Sequence, residues 1–142
     1  MKRRYIYWLL MFLILPLLVS CISSGLPDIV LKDDGQPCIS IPANEDFFKS
    51  NKQFNVMATE IGQIGVGLLS LKYYHDPLKP YYVKTQECIN FDYHFQNNIP
   101  YSISFTSTEK GKNKPWVRFM RIKKNKDGTL QLLLDENARD AT

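Results

Sequence analysis

Asp92 and His94, a carboxylate and an imidazole two residues apart, are the nearest this chain comes to an acid–base pair. If residues 87–95 form a strand, alternation puts both on one face together with Asn90 and Cys88, close enough to share a proton. The same spacing also describes the solvated polar face of a strand, and the wider pattern favours that reading. There is no HExxH and no GxSxG, and His75 lies apart in the loop His75-Asp76-Pro77-Leu78-Lys79-Pro80. The glycines of Gly62-Gln63-Ile64-Gly65-Val66-Gly67 are not followed by the Lys-Ser/Thr pair that a phosphate loop needs. The expectation is a protein that is not an enzyme and that carries no metal or other cofactor.

The sulfur chemistry is more specific. Leu18-Val19-Ser20-Cys21 closes an apolar run that follows the basic cluster Lys2-Arg3-Arg4. A positive start, a short apolar middle and small residues before a cleavage point make an export signal. With cysteine directly after Ser20, the tetrapeptide has the pattern of a bacterial lipobox. That pattern implies a diacylglycerol on the Cys21 thiol, cleavage before it and acylation of the new amino terminus. Residues 5–19 are too few for a membrane span, which takes roughly 17–25 residues, and Pro16 interrupts them. The expected division is a signal peptide over 1–20 and a lipidated tether over 21–27. Three acyl chains anchor far more firmly than one. Ile22, not Asp, follows Cys21, which points to the outer membrane more than the inner, facing the periplasm.

Cys38 and Cys88 remain as an even pair in an oxidising compartment. A disulfide between them closes a loop of about fifty residues and contributes roughly 4 kcal/mol in the chain-entropy model. The alternatives are two free thiols or a metal pair, and the absence of CxxC argues against metal.

Charge excludes one class of partner. Lys2, Arg3 and Arg4 leave with the signal, so fifteen basic residues face fourteen acidic ones, a net charge of +1. Nucleic-acid binding has no electrostatic support at that value. The bases are nevertheless clustered: Lys110, Lys112, Lys114, Arg118, Arg121, Lys123, Lys124 and Lys126 run with no acid among them. They read either as a solvated hairpin or as a basic face for an acidic partner or anionic headgroups.

The elements that must position these groups are short and extended. Asp33-Asp34-Gly35 is a turn between the apolar runs 29–31 and 38–41. Ile39 and Ile41 share one face, Cys38 and Ser40 the other. Phe54, Val56 and Ala58 alternate on a strand over 54–59, and a glycine-rich turn leads into a strand over 66–74. Residues 81–84, 87–95 and 101–106 read as further strands. A lysine-rich loop over 109–115 precedes a strand over 116–122, and Asp127-Gly128 turns the chain into a return strand over 130–134. No long amphipathic helix is visible. The expectation is an all-β fold, an antiparallel β-sandwich of immunoglobulin or fibronectin-III type with about seven strands and one disulfide, over residues 28–135. Residues 136–142 read as a frayed tail.

Binding is better supported than catalysis. Tyr73, Tyr74, Tyr81 and Tyr82 bracket a proline-containing loop, and tyrosine is favoured at protein interfaces. Tyr74, Tyr81 and Tyr82, with Lys110, Lys112, Lys114 and Trp116, are the candidate partner-contacting residues.

The lipobox, the stretch Gly35-Gln36-Pro37-Cys38-Ile39-Ser40-Ile41-Pro42, Cys88 before Phe91-Asp92-Tyr93-His94-Phe95, and Asn98-Ile99-Pro100-Tyr101-Ser102-Ile103-Ser104-Phe105 together resemble a known family. This is the family of small enterobacterial periplasmic lipoproteins assigned to type VI secretion immunity. The resemblance covers most of the mature chain in its order of features, and the basic segment 110–126 departs from it. It implies a non-enzymatic task, the binding and neutralising of a toxin delivered into the periplasm, and it carries over no functional residues. Lipoprotein lysozyme inhibitors are a weaker likeness, because their Ser-Gly-x-x-Tyr loop is missing. The alternative reading is a structural or assembly lipoprotein of the envelope, such as an accessory subunit of a secretion or surface complex.

Overall fold

The computed structural model describes residues 24–46 and 52–139. The expected signal peptide, Cys21, the start of the tether, Phe47 and Phe48, and the last three residues lie outside the described residues. Eight strands follow in chain order: β1 (Asp28–Leu31), β2 (Pro37–Ser40), β3 (Gln53–Gln63), β4 (Gly67–Tyr73), β5 (Tyr81–Lys84), β6 (Tyr101–Glu109), β7 (Lys112–Lys124) and β8 (Leu130–Leu134). Among the described residues a 3-10 turn (Ala43–Asp46) and a short helix, α1 (Glu136–Arg139), complete them. The fold is all-β and antiparallel, with one disulfide, as the alternation implied.

The strands divide unevenly. Six form one sheet in the order β4-β3-β6-β7-β8, with β5 beside β4 on the same flank of β3, and β1 and β2 form a separate hairpin. That hairpin packs over the inner face of the large sheet. Ile29 and Ile39, register partners, and Ile41 point down onto Phe54, Val56, Ile61, Ile103, Phe105 and Met120, all buried. Strand β6 shows the cause of the layering most plainly. Tyr101, Ile103, Phe105 and Ser107 are buried, while Ser102, Ser104, Thr106 and Thr108 alternate on the other face.

Residues 87–95 were expected to form a strand and do not. Their faces are as expected: Ile89, Phe91 and Phe95 are buried, and Asn90, Asp92 and His94 are exposed. The ladder fails because Gln86 (φ 61°) and Asp92 (φ 50°) adopt the left-handed conformation, which breaks an extended run. The segment instead lies along β2 on isolated bonds, Gln86 N–H to Ile41 O (2.8 Å) and Ile89 N–H to Ile39 O (2.8 Å). Three hydroxyls and one amide hold the rest. Tyr81 Oη accepts from Asn90 N–H (2.8 Å) and Tyr101 Oη from Gln96 N–H (3.0 Å). Tyr74 Oη donates to Asn90 O (2.9 Å), and the Gln36 amide bridges both main-chain groups of Phe95. Cys38 and Cys88, 5.0 Å apart at Cα, tie this coil to β2 covalently.

Four other expectations need correction. Alternation through Phe54, Val56 and Ala58 is broken by a bulge at Met57, where the register to β6 passes from Val56 and Ser107 to Ala58 and Thr106. Thr59 and Ile61 therefore join Phe54 and Val56 in the core, and Ala58 turns outward. The expected loop over 109–115 is a two-residue turn of Lys110 (φ 49°) and Gly111 (φ 75°) inside a long hairpin. Pro115 is tolerated in β7 because its carbonyl, and hence its nitrogen, faces away from β6, towards Gly25.

The tether and the tail are the other two. Gly25 forms a parallel bridge to Trp116, donating to Pro115 O (2.8 Å) and accepting from Val117 N–H (3.1 Å). Pro27 is fully buried, and its carbonyl accepts from Arg118 Nη1 (2.9 Å). The chain is thus docked from Gly25 onward. At the other end α1 buries Ala138, whose carbonyl accepts from Arg121 Nε (2.9 Å), and stacks Arg139 over Phe119.

Candidate partner-binding face

The β1–β2 hairpin covers one face of the large sheet, and on the other α1 packs over Phe119 and Arg121 at the β7 end. Across this outer face, pairing sets side chains in rows. Tyr73, Ala58, Thr106 and Pro115 make one row; Leu71, Glu60, Ser104 and Val117 the next; Leu68, Gly62, Ser102 and Phe119 a third. A further row of Tyr82, Asn55, Thr108 and Asn113 extends it across β5.

The arrangement has a simple chemistry. The middle columns, from β3 and β6, are small or hydroxylated apart from Glu60. The β4 column is large and apolar, and Leu68 (58 % exposed), Leu71 and Tyr73 (57 % exposed) all meet solvent. A bulge in β4 makes the column continuous: Ile61 pairs Ser70, but Gly62 pairs Leu68, so Leu69 is the extra residue. Leu68 thereby shares the outward face of Leu71 and Tyr73. Val66 in the β3–β4 turn and Leu78 in the loop 74–80 are exposed as well. A run of exposed aliphatic and aromatic side chains on one edge is what interaction sites show and what solvated edges avoid. Glu60 stands in this face exposed, without a hydrogen-bond or ion-pair partner among the described residues.

The sequence-predicted contact residues fare differently. Tyr82 is half-exposed and lies on this face. Tyr74 and Tyr81 do not present themselves to a partner. Their rings pack 4.7 Å apart, their hydroxyls hold Asn90, and burial pushes the Tyr81 hydroxyl above its ordinary pKa. Trp116 cannot touch a partner at all: it is 1 % exposed, stacked on Phe105 and bonded through Nε1 to Ser107 Oγ (2.9 Å). Lys114 covers that ring (4.2 Å) and pairs with Glu45 (2.8 Å). Lys110 and Lys112 stand exposed at the tip of the β6–β7 hairpin.

Leu68 and Leu71 were missed by the sequence reading, which weighed tyrosines and lysines. The signal was present: in Val66-Gly67-Leu68-Leu69-Ser70-Leu71 both strand faces carry leucine, which a solvated edge strand does not need.

Asp92 and His94 both line a cleft of about 320 Å³ between the β1–β2 hairpin and the coil 88–95, with Lys32, Gln36 and Phe95. They do not bond to each other. The Asp92 carboxylate is taken by the Lys72 ammonium and by Asn90 Nδ2 (3.1 Å), and these hold its pKa below the ordinary value. A carboxylate so held is a weak base, which leaves His94 without an orienting partner. Among the described residues no three His, Cys, Asp or Glu side chains gather as metal ligands would. Nor is any described helix long and apolar enough to cross a membrane.

Fold and surface together define an all-β, disulfide-bonded two-layer domain whose outer sheet face, among the described residues, is covered by α1 at the β7 end and open along β4 and β5. Residues 26–125 match the family model described as "Domain of unknown function (DUF7480)", and the chain belongs to that family. No curated protein and no solved structure matches it.

Proposed function

We propose that the chain is a lipid-anchored periplasmic binding protein, an immunity factor that neutralises a type VI secretion effector by covering it with the outer face of the large sheet. The observation that carries the binding role is the exposed apolar column Leu68, Leu71 and Tyr73 on β4, with Tyr82 beside it on β5. Glu60 in the middle of that face suits a partner that surrounds a basic group with apolar side chains. The lipobox at Cys21 supports an envelope location, and the disulfide fits an oxidising compartment. The resemblance of sequence features to immunity lipoproteins supplies the class of partner.

Deleting the gene and challenging the strain with sister cells that carry an active secretion system tests the proposal. Loss of survival, restored by the wild-type gene, is expected. Unchanged survival contradicts the immunity role. Recovery of a stoichiometric envelope complex from unchallenged cells favours the assembly role instead.

A further inference from the structure

We infer that the tip of the β6–β7 hairpin is a membrane-docking surface, with Lys110 and Lys112 set against the anionic phospholipid headgroups of the leaflet that holds the anchor. The inference rests on the acylated Cys21 of the proposed function and adds to it an orientation.

Gly25 is fixed to β7 by two main-chain bonds to Pro115 and Val117. Three residues separate it from Cys21, and the four Cα-to-Cα steps reach at most about 14 Å. Acyl chains on Cys21 therefore hold this corner of the domain within about 14 Å of the headgroups. Because Gly25 and Trp116 pair in parallel, the chain at the bridge runs in the direction of β7, away from the hairpin tip. Four strand residues from Trp116 back to Lys112 span about 13 Å, so the tip lies at the distance the anchor can reach.

The charge at this corner is complementary to an anionic surface. Lys114 is matched by Glu45 and Lys52 by Glu109, both at 2.8 Å. Lys110 and Lys112 are exposed, and no carboxylate pairs with either among the described residues. The apolar column Leu68, Leu71 and Tyr73 on β4 lies across β3 and β6 from this strand, so docking the tip leaves that column open to a partner, with the Tyr82 row at the edge nearest the membrane.

The acylated mature protein, reconstituted in vesicles, provides the test. One set contains phosphatidylcholine alone, the other phosphatidylcholine with about one-third phosphatidylglycerol. Amine acetylation is read residue by residue by mass spectrometry after flotation. At Lys110 and Lys112 it is expected to be about five-fold slower in the anionic vesicles, and unchanged at Lys79, in the loop between β4 and β5. Equal rates at Lys110 and Lys112 in the two vesicle types overturn the docking inference and leave the anchor standing. Protein that floats with neither vesicle overturns the anchor and the docking together. The K110E/K112E variant is expected to float with both vesicle types and to show no slowing at Lys114 in the anionic ones; slowing there in the variant also contradicts the docking.

Discussion

The side-chain amide of Gln36 binds the main chain of Phe95 as a paired strand would: Nε2 donates to Phe95 O (3.2 Å) and Oε1 accepts from Phe95 N–H (2.9 Å). Fifty-nine residues separate the two, and the contact closes the far end of the coil that covers the core from Ile89 to Phe95. Gln36→Ala leaves both groups of a partly buried main chain unmet, at a cost of about 1–3 kcal/mol. Urea unfolding of the two proteins measures it. Gln36→Glu keeps the acceptor and loses the donor, and is expected to fall between them.

Gly25 is the position where a side chain has no room. A Cβ there would stand 2.4 Å from Cε3 of Trp116. Gly25→Ala must displace either the ring or the docked segment, with an expected loss of about 1–3 kcal/mol. Trp116 is the sole tryptophan after residue 20, so its fluorescence reports the change directly. A red-shifted emission in the variant is expected, and an unchanged spectrum and unfolding midpoint would contradict the docked bridge.

Much of this architecture was legible in the residues, for identifiable reasons. Strand β6 announces itself because Tyr101, Ile103 and Phe105 alternate with hydroxyls, and the Asp127-Gly128 turn can do little but reverse the chain. The faces of residues 87–95 were legible too, since burial follows apolar alternation whether or not a ladder forms. The strand itself was not, because Asp92 is held by Lys72, twenty residues away, and Phe95 by Gln36, fifty-nine residues away. The bulges at Met57 and Leu69 leave no mark in composition, yet they decide which side chains look outward. Trp116 was misread because a tryptophan among lysines resembles a surface anchor; its burial comes from Gly25, Phe105 and Lys114 closing around it.

The disulfide joins β2 to the coil across a separation of fifty residues. Its removal by the double substitution Cys38→Ser and Cys88→Ser is expected to cost about 4 kcal/mol. The loss should concentrate in the coil, so hydrogen exchange should quicken first at Ile89, whose amide is bonded to Ile39. Protection at Ile89 equal to that of the disulfide-bonded protein would argue that the main-chain bonds alone hold the segment.

Asp92 and Lys72 form an exposed ion pair whose pH dependence has a definite sign. Lys72, then Asn90, lowers the Asp92 pKa from 3.8, so the pair's stabilisation is complete above that value and is lost as pH falls through the lower folded one. Lys72 is raised from 10.5 by the same contact, so at the alkaline end the stabilisation fades as pH climbs through its folded value. Carboxyl NMR should find Asp92 titrating below 3.8 and returning towards it in Lys72→Met. The shift should also shrink in high salt, because both groups are exposed.

The most direct measurement replaces two side chains of the β4 column, Leu71→Asp and Tyr73→Asp, in the chromosomal gene, with envelope abundance and circular dichroism checked against wild type. Both side chains are exposed, so the fold is expected to survive. Folded, membrane-associated protein at normal levels that no longer protects cells against sister cells with an active secretion system is the predicted result. Full protection by that variant would contradict the account, because the exposed β4 column would then have no part in what the protein does.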